Sequence, residues 1–143
     1  MEDSIRRFFA RYERFFLRAL AGELDPAEVA GLYAEEFIAA SPAGVKAGKN
    51  DASLIEAMRQ GHAQYRAIGT RDMRVQGLRL SPIDELHCVA HLAWRATYAR
   101  ADLPETVIDF EVHYLMQQRQ DGPRVFGWIS GDETAVLRRH GVL

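Results

Sequence analysis

The sequence predicts an α+β fold: three N-terminal helices packed on a strongly bent, mostly antiparallel sheet, with a short C-terminal helix. Three observations carry this expectation. Leu86–Tyr98 and Val107–Arg119 both alternate with a period of two, the mark of strands with one side on a core. Ser4–Ala21 and Asp51–Ile68 instead place apolar residues three and four apart, the mark of helices with one buried stripe. Finally, the helical patterns come first and the long strands follow, without the strict alternation that a parallel α/β sheet needs.

The first helix carries Ile5, Phe8, Phe9, Tyr12, Phe15, Phe16, Ala19 and Leu20 on one side and Arg6, Arg7, Arg11, Arg14 and Arg18 on the other. Asp3 or Ser4 is placed to cap it and Gly22 to end it. Its arginines read as a solvated face rather than a membrane surface, because four phenylalanines in one stripe belong to a core. Asp25-Pro26-Ala27-Glu28 opens a second helix, with Asp25 as N-cap, proline at the first position and Glu28 placed to close a capping box. Val29, Leu32, Tyr33 and Phe37 form its buried side. Phe37–Ser41 reads as a short strand ended by Pro42 and Gly44, and Val45–Asn50 as a loop. In the third helix Ser53 and Glu56 offer a capping box, Gly69 is the stop, and the stripe is Leu54, Ile55, Met58, His62, Tyr65 and Ile68.

Thr70–Leu80 is a strand with a bulge at Gly77, since Met73 and Val75 lie in one phase and Leu78 and Leu80 in the other. The turn Ser81–Glu85 leads into the central pair. With Arg95 set opposite Asp109, Trp94 faces Phe110, Leu92 faces Val112, Ala90 faces Tyr114, Cys88 faces Met116 and His91 meets His113. A slip of one residue would set Arg95 against an apolar partner, so this register is favoured. Asp121-Gly122-Pro123 turns into a last strand, Arg124–Ser130, with Phe126 and Trp128 on one side and Val125 and Ile129 on the other. Asp132 then caps a helix running to Arg139.

The totals bound the function. A chain of 143 residues with 48% hydrophobic and 27% charged residues is one ordinary domain, 1–143, with a core of its own. A formal charge of −2 argues against nucleic acid as a partner. No apolar run approaches the ~18 residues of a membrane span, and no signal-peptide pattern opens the chain. The single cysteine forms no internal disulfide, so a cytoplasmic location is expected. Cys88 itself reads as a small hydrophobe, with no cation in its phase to activate it.

Two segments, Ala19–Asp25 and Leu32–Phe37 followed by Ser41-Pro42-Ala43-Gly44, resemble the opening of the nuclear-transport-factor-2-like superfamily. A third helix, long strands and an Asp-Gly turn before a tryptophan-bearing strand follow in the same order. Gly44–Asp51 and Ile129–Glu133 resemble an uncharacterised bacterial branch. The resemblance implies a cystatin-like cone, a fold that hosts isomerases, dehydratases, cyclases and docking domains alike. Ketosteroid isomerase, a relative in this superfamily, needs a helix tyrosine, a carboxylate base before a Pro-x-Gly and a strand carboxyl group. Those positions fall here on Phe15, Ser41 and Met116, so that activity is not carried over.

The resemblance and the periodicity together place Val112, Tyr114 and Met116 inside the cone, with Trp94, Cys88, Phe126 and Trp128 facing Phe15 and Phe16. The expected ligand pocket is Phe15, Tyr33, Ser41, Met58, His62, Trp94, Tyr114, Met116 and Trp128, with Tyr65 and Ser130 as further polar groups. The same residues can equally fill a core. His62 is the one titratable group on the third helix's stripe, either a structural histidine or a proton shuttle. No metal is expected, because His87 and His91 stand roughly 13 Å apart along a strand. No cofactor is expected either, as there is no phosphate-binding glycine loop. His91, Arg95, Glu111 and His113 make a mixed patch on the convex side, suited to a homodimer or to plain solvation. Two functions remain open: a pocket for an apolar or aromatic small molecule, with or without lyase, isomerase or cyclase chemistry, and a non-catalytic homodimeric association module.

Overall fold

In the computed structural model, which describes residues 1–143, the chain runs α1 (Glu2–Leu20), α2 (Pro26–Leu32), β1 (Tyr33–Ser41), β2 (Gly44–Lys49), α3 (Ala52–Ala67), β3 (Thr70–Pro82), β4 (His87–Arg100), β5 (Leu103–Arg119), β6 (Gly122–Ser130) and α4 (Glu133–Arg139). The six strands form one sheet in the order β2-β1-β6-β5-β4-β3, antiparallel except where β1 and β6 run parallel. The architecture is therefore α+β, and the sheet has one strand, Gly44–Lys49, beyond the five read from the sequence. The three N-terminal helices are a long helix, a seven-residue one and, beyond a hairpin, a third.

The β4–β5 register is the expected one throughout, with Arg95 opposite Asp109, Trp94 opposite Phe110, Ala90 opposite Tyr114 and His91 opposite His113. The turn between them is tight, because pairing continues to Arg100 and Leu103. On β3 the register slips between Val75 and Gly77, so Val75 faces Trp94 while Leu78 faces Leu92. One extra residue reconciles the two apolar phases.

Three local expectations fail for identifiable reasons. Tyr33 and Phe37 belong to β1, not to α2. A spacing of four is in phase for a helix and a strand alike, so this pair could not tell the two apart. Val45–Asn50 is no loop, since β2 forms a hairpin with β1 in which Ser41 pairs with Gly44. Its residues are mostly exposed, so no apolar alternation announced it. Gly48 sits directly under the Phe37 ring, where a Cβ would come within 2.5 Å of a ring carbon. On β6 a register shift at Met116 separates Val125 from Gly127 and reverses the phase. Val125 is consequently fully buried, while Phe126 is half-exposed and meets His87 on the outer face rather than Trp128's side.

Caps follow the sequence with adjustments. Asp25, Asp51 and Asp132 accept from backbone N–H groups of Ala27, Ser53 and Ala135. Neither capping-box glutamate closes its box: Glu28 pairs with Arg18 and Glu56 accepts from Gln60. α1 begins at Glu2 without a side-chain cap, and Glu2 and Asp3 instead lie in its positive first turn. Gly22 ends it at φ +95, with its N–H on Ala19 and the Glu23 N–H on Arg18.

The core joins α1 to the sheet. Ile5, Phe8, Phe9, Tyr12 and Phe15 are buried against a floor of Ala90, Leu92, Trp94, Tyr114 and Met116. α3 is seated far less deeply, with only Leu54 and His62 buried along its length and Ile55, Met58 and Tyr65 half-exposed. That difference between α1 and α3 leaves room beneath α3. No helix is long and apolar enough to cross a membrane.

Candidate functional site

Between α1, α3, α4 and the sheet lies a cavity of about 490 Å³, and 18 of its 25 lining residues are hydrophobic. Its walls are aromatic: Tyr12, Phe15 and Phe16 from α1, Trp94 and Tyr98 from β4, Phe110 and Tyr114 from β5, and Trp128 from β6. Phe16 lies 5.6 Å from Trp94 between ring centroids, and Trp128 stacks on Phe37 at 5.2 Å. Alternation on β4, β5 and β6 supplies these rings from every second residue, and the three–four spacing of α1 supplies the facing ones.

The polar groups are few and mostly committed to one another. The Tyr12 and Tyr33 hydroxyls lie 2.8 Å apart, and the Trp94 indole N–H donates to Tyr114 Oη at 3.3 Å. Burial pushes the phenols of Tyr12, Tyr33, Tyr65 and Tyr114 well up, so all four are neutral near pH 7. Tyr65 makes a long donation, 3.4 Å, to Glu133 at the start of α4. Much of Glu133 is open to solvent, yet its carboxyl group leans over the apolar mouth, and that desolvation pushes its pKa up.

His62 is the exception. It is 6% exposed, packed edge-on to Phe16 at 4.8 Å, and its Nδ1 has no hydrogen-bond partner. Burial, and secondarily the Arg66 charge, lowers its pKa, so the ring is neutral at physiological pH. An uncommitted nitrogen in a buried ring costs stability unless a ligand or water meets it.

Of the expected pocket residues, Phe15, Tyr33, Met58, His62, Trp94, Tyr114 and Trp128 line this cavity, together with Tyr65 and Ser130. Ser41 does not: it lies at the end of β1, where its hydroxyl accepts the Ala43 N–H in the hairpin turn. Met116 does not either, being fully buried in the core opposite Cys88 and Val125. The reading missed Tyr12, Tyr98 and Glu133 as lining. Tyr12 was visible only as core stripe, and Glu133 only as the residue after a helix cap. A hint lay in the order of elements, because the residue after a strand's end is carried to the rim of whatever that strand lines.

The opposite face of β4 and β5 gathers His91, Arg95, Glu111 and His113 as expected from the register. Arg95 grips Asp109 with two hydrogen bonds, at 2.8 and 3.0 Å. His91 shares a 2.7 Å hydrogen bond with His113 through their Nδ1 atoms and bonds Ser81 through Nε2. Glu111 is 3.9 Å from His113. His87 stands apart, on Asp84 and Gln117. No three His, Cys, Asp or Glu side chains converge closely enough to hold a metal ion.

Solved structures resemble this fold closely. An NTF2-like protein with a cystatin-like fold from Novosphingobium aromaticivorans superposes with a TM-score of 0.69 at 14% identity, covering 99% of this chain and 88% of its own. An NTF-2 like protein of unknown function from Shewanella oneidensis MR-1 gives 0.65 at 13% identity, covering 92% and 98%. The β subunit of benzoate 1,2-dioxygenase from Burkholderia mallei ATCC 23344 also gives 0.65 at 13% identity, covering 93% and 91%. At such identities the likeness is one of fold alone. No curated protein matches the chain. The family model described as "NTF2-like protein (DUF6841)" matches residues 2–133, and the chain belongs to that family of NTF2-like proteins.

Proposed function

We propose that this protein binds a small apolar or aromatic molecule in the cavity between α1, α3, α4 and the sheet. The observation that carries the reading is the cavity itself. Its volume of about 490 Å³ lies within the ~300–1,000 Å³ usual for ligand pockets, and it combines aromatic walls with one buried, unpartnered imidazole nitrogen. In the catalytic version, proton transfer on the bound molecule falls to His62 as a neutral base, with the Glu133 carboxyl group at the mouth beside it. That pairing would suit a lyase, isomerase or cyclase, and it uses none of the positions of ketosteroid isomerase. The cytoplasmic assignment belongs to this reading too, since the single cysteine, Cys88, is 1% exposed and free.

The test is thermal denaturation with a panel of neutral and ionised ring compounds. Ligands that occupy the native cavity raise the midpoint with concentration by mass action. A panel without any concentration-dependent rise contradicts the reading.

A second reading, a homodimeric association module, draws on the outer face. Ile38 and Ile129 are 41% and 46% exposed there. A Cβ at Gly127 would touch both Ile38 and Leu115, which puts these three on one side of the sheet. Apolar residues beside the Arg95–Asp109 and His91–His113 pairs make a surface that a second copy could complement. Sedimentation decides it: a dimer that Ile129→Lys dissociates supports the module, and a monomeric wild type removes it.

A further inference from the structure

The carboxylates are the only formally charged side chains that line the cavity. Its lining includes Glu111, Asp132 and Glu133 and no lysine or arginine. Glu111 belongs to the outer-face phase of β5, where it is the neighbour of His113. Asp132 and Glu133 remain at the mouth, with Asp132 accepting the Ala135 N–H and Glu133 accepting only from Tyr65. Arg66, the cation next along α3, is committed elsewhere: its guanidinium donates to the carbonyls of Ala19 and Leu20 at 3.2 and 3.3 Å. Behind the acids stand the rings of Phe16, Tyr65, Trp94 and Tyr98, whose π faces attract cations. The lining also holds His62, nine-tenths buried and neutral, whose Nδ1 has no partner.

We propose that the cavity selects a protonated amine carried on an apolar or aromatic body. The inference rests on the reading of the cavity as a ligand site and names the class of ligand that site prefers. The ammonium group meets a carboxylate at the mouth and aromatic faces around it, while the apolar body fills the interior. Of the ligand classes that fit the aromatic interior, only a cation gains from both the walls and the rim. A neutral analogue loses the carboxylate and the cation–π attraction and keeps only the apolar contact with the walls. An anionic analogue brings a like charge against Asp132 and Glu133 at the mouth and is disfavoured. Burial raises the Glu133 carboxyl pKa, and a bound ammonium would bring it down again.

One skeleton in three charge states tests this. 2-Phenylethylammonium, 2-phenylethanol and 3-phenylpropanoate are titrated into the wild-type protein at neutral pH and followed by isothermal calorimetry, at low and at high salt. The expected order is amine, then alcohol, then carboxylate, with the amine about tenfold tighter than the alcohol at low salt. Glu133→Gln is expected to lower the amine several-fold towards the alcohol's affinity and to leave the alcohol unchanged. The alcohol or the carboxylate binding as tightly as the amine overturns the charge preference while leaving the cavity as a ligand site. An amine preference that survives Glu133→Gln unchanged overturns the role of the mouth. Absence of binding by all three, together with no response to the broader ring panel, removes the ligand site and this inference with it.

Discussion

The two faces of the β4–β5 hairpin are built from alternate residues of the same strands, yet they live under different physics. On the helix-covered face, Leu92, Trp94 and Tyr114 are buried, and each polar atom there needs a partner that the protein itself supplies. On the outer face, Arg95, Asp109, His91 and His113 make shorter hydrogen bonds but remain in reach of water. Short contacts are therefore a poor guide to what holds this fold. The longer Trp94–Tyr114 contact, at 3.3 Å, sits where desolvation makes loss expensive.

The contrast is sharpest at neighbouring residues. Trp94→Ala should cost ~3–5 kcal/mol, measured by urea denaturation, because a large ring at 2% exposure leaves a void beneath α1. A loss as small as that of a surface substitution would break the comparison. Gly127→Ala probes the outer face where it is closely packed: a Cβ there would come within 2.8 Å of Ile38 and 2.9 Å of Leu115. The expected cost is ~1–3 kcal/mol by the same measurement. Tyr33→Phe removes the 2.8 Å bond to the buried Tyr12 hydroxyl, for ~1 kcal/mol.

His62 adds a pH signature. Its folded-state pKa is below the ordinary 6.5, so the unfolded chain takes up the proton more readily. The stability it contributes is complete above pH 6.5 and is lost as pH falls from there through the folded value. His62→Leu should flatten that part of the stability profile, and an unchanged slope would show that another group sets it. The smallest effect is expected at Arg95→Ala or Asp109→Ala, whose exposed pair should leave the denaturation midpoint near that of the wild type.

Much of this was legible in residues. The Arg95–Asp109 register, the Gly77 bulge and the α1 stripe follow from alternation and spacing where one face is strongly apolar. What escaped had no such contrast. β2 is exposed on both sides, and Tyr33–Phe37 fits two periods at once. Phe126 is the unpaired residue of a bulge between Val125 and Gly127, and Gly127 beside it was not read as marking one. For the cavity, the aromatic walls were readable because they alternate. The acidic mouth was not, because Glu133 reaches it through the path of β6 and α4 rather than through any pattern of its own. Ser41 was placed by correspondence with another protein's catalytic position and Met116 by that correspondence together with the alternation of β5; neither lines the cavity, and Met116 is in the core behind it.

The two tryptophans of the chain, Trp94 and Trp128, both line the cavity, while His91 and His113 lie on the other side of the sheet. Titrating the protein with 2-phenylethylammonium and the ring panel while following the indole N–H and imidazole NMR signals therefore separates the two faces in one experiment. Saturable shifts of both indole signals with the His91 and His113 signals unmoved are the predicted result. Indole signals that stay fixed, or shifts confined to the two histidines, would contradict the account.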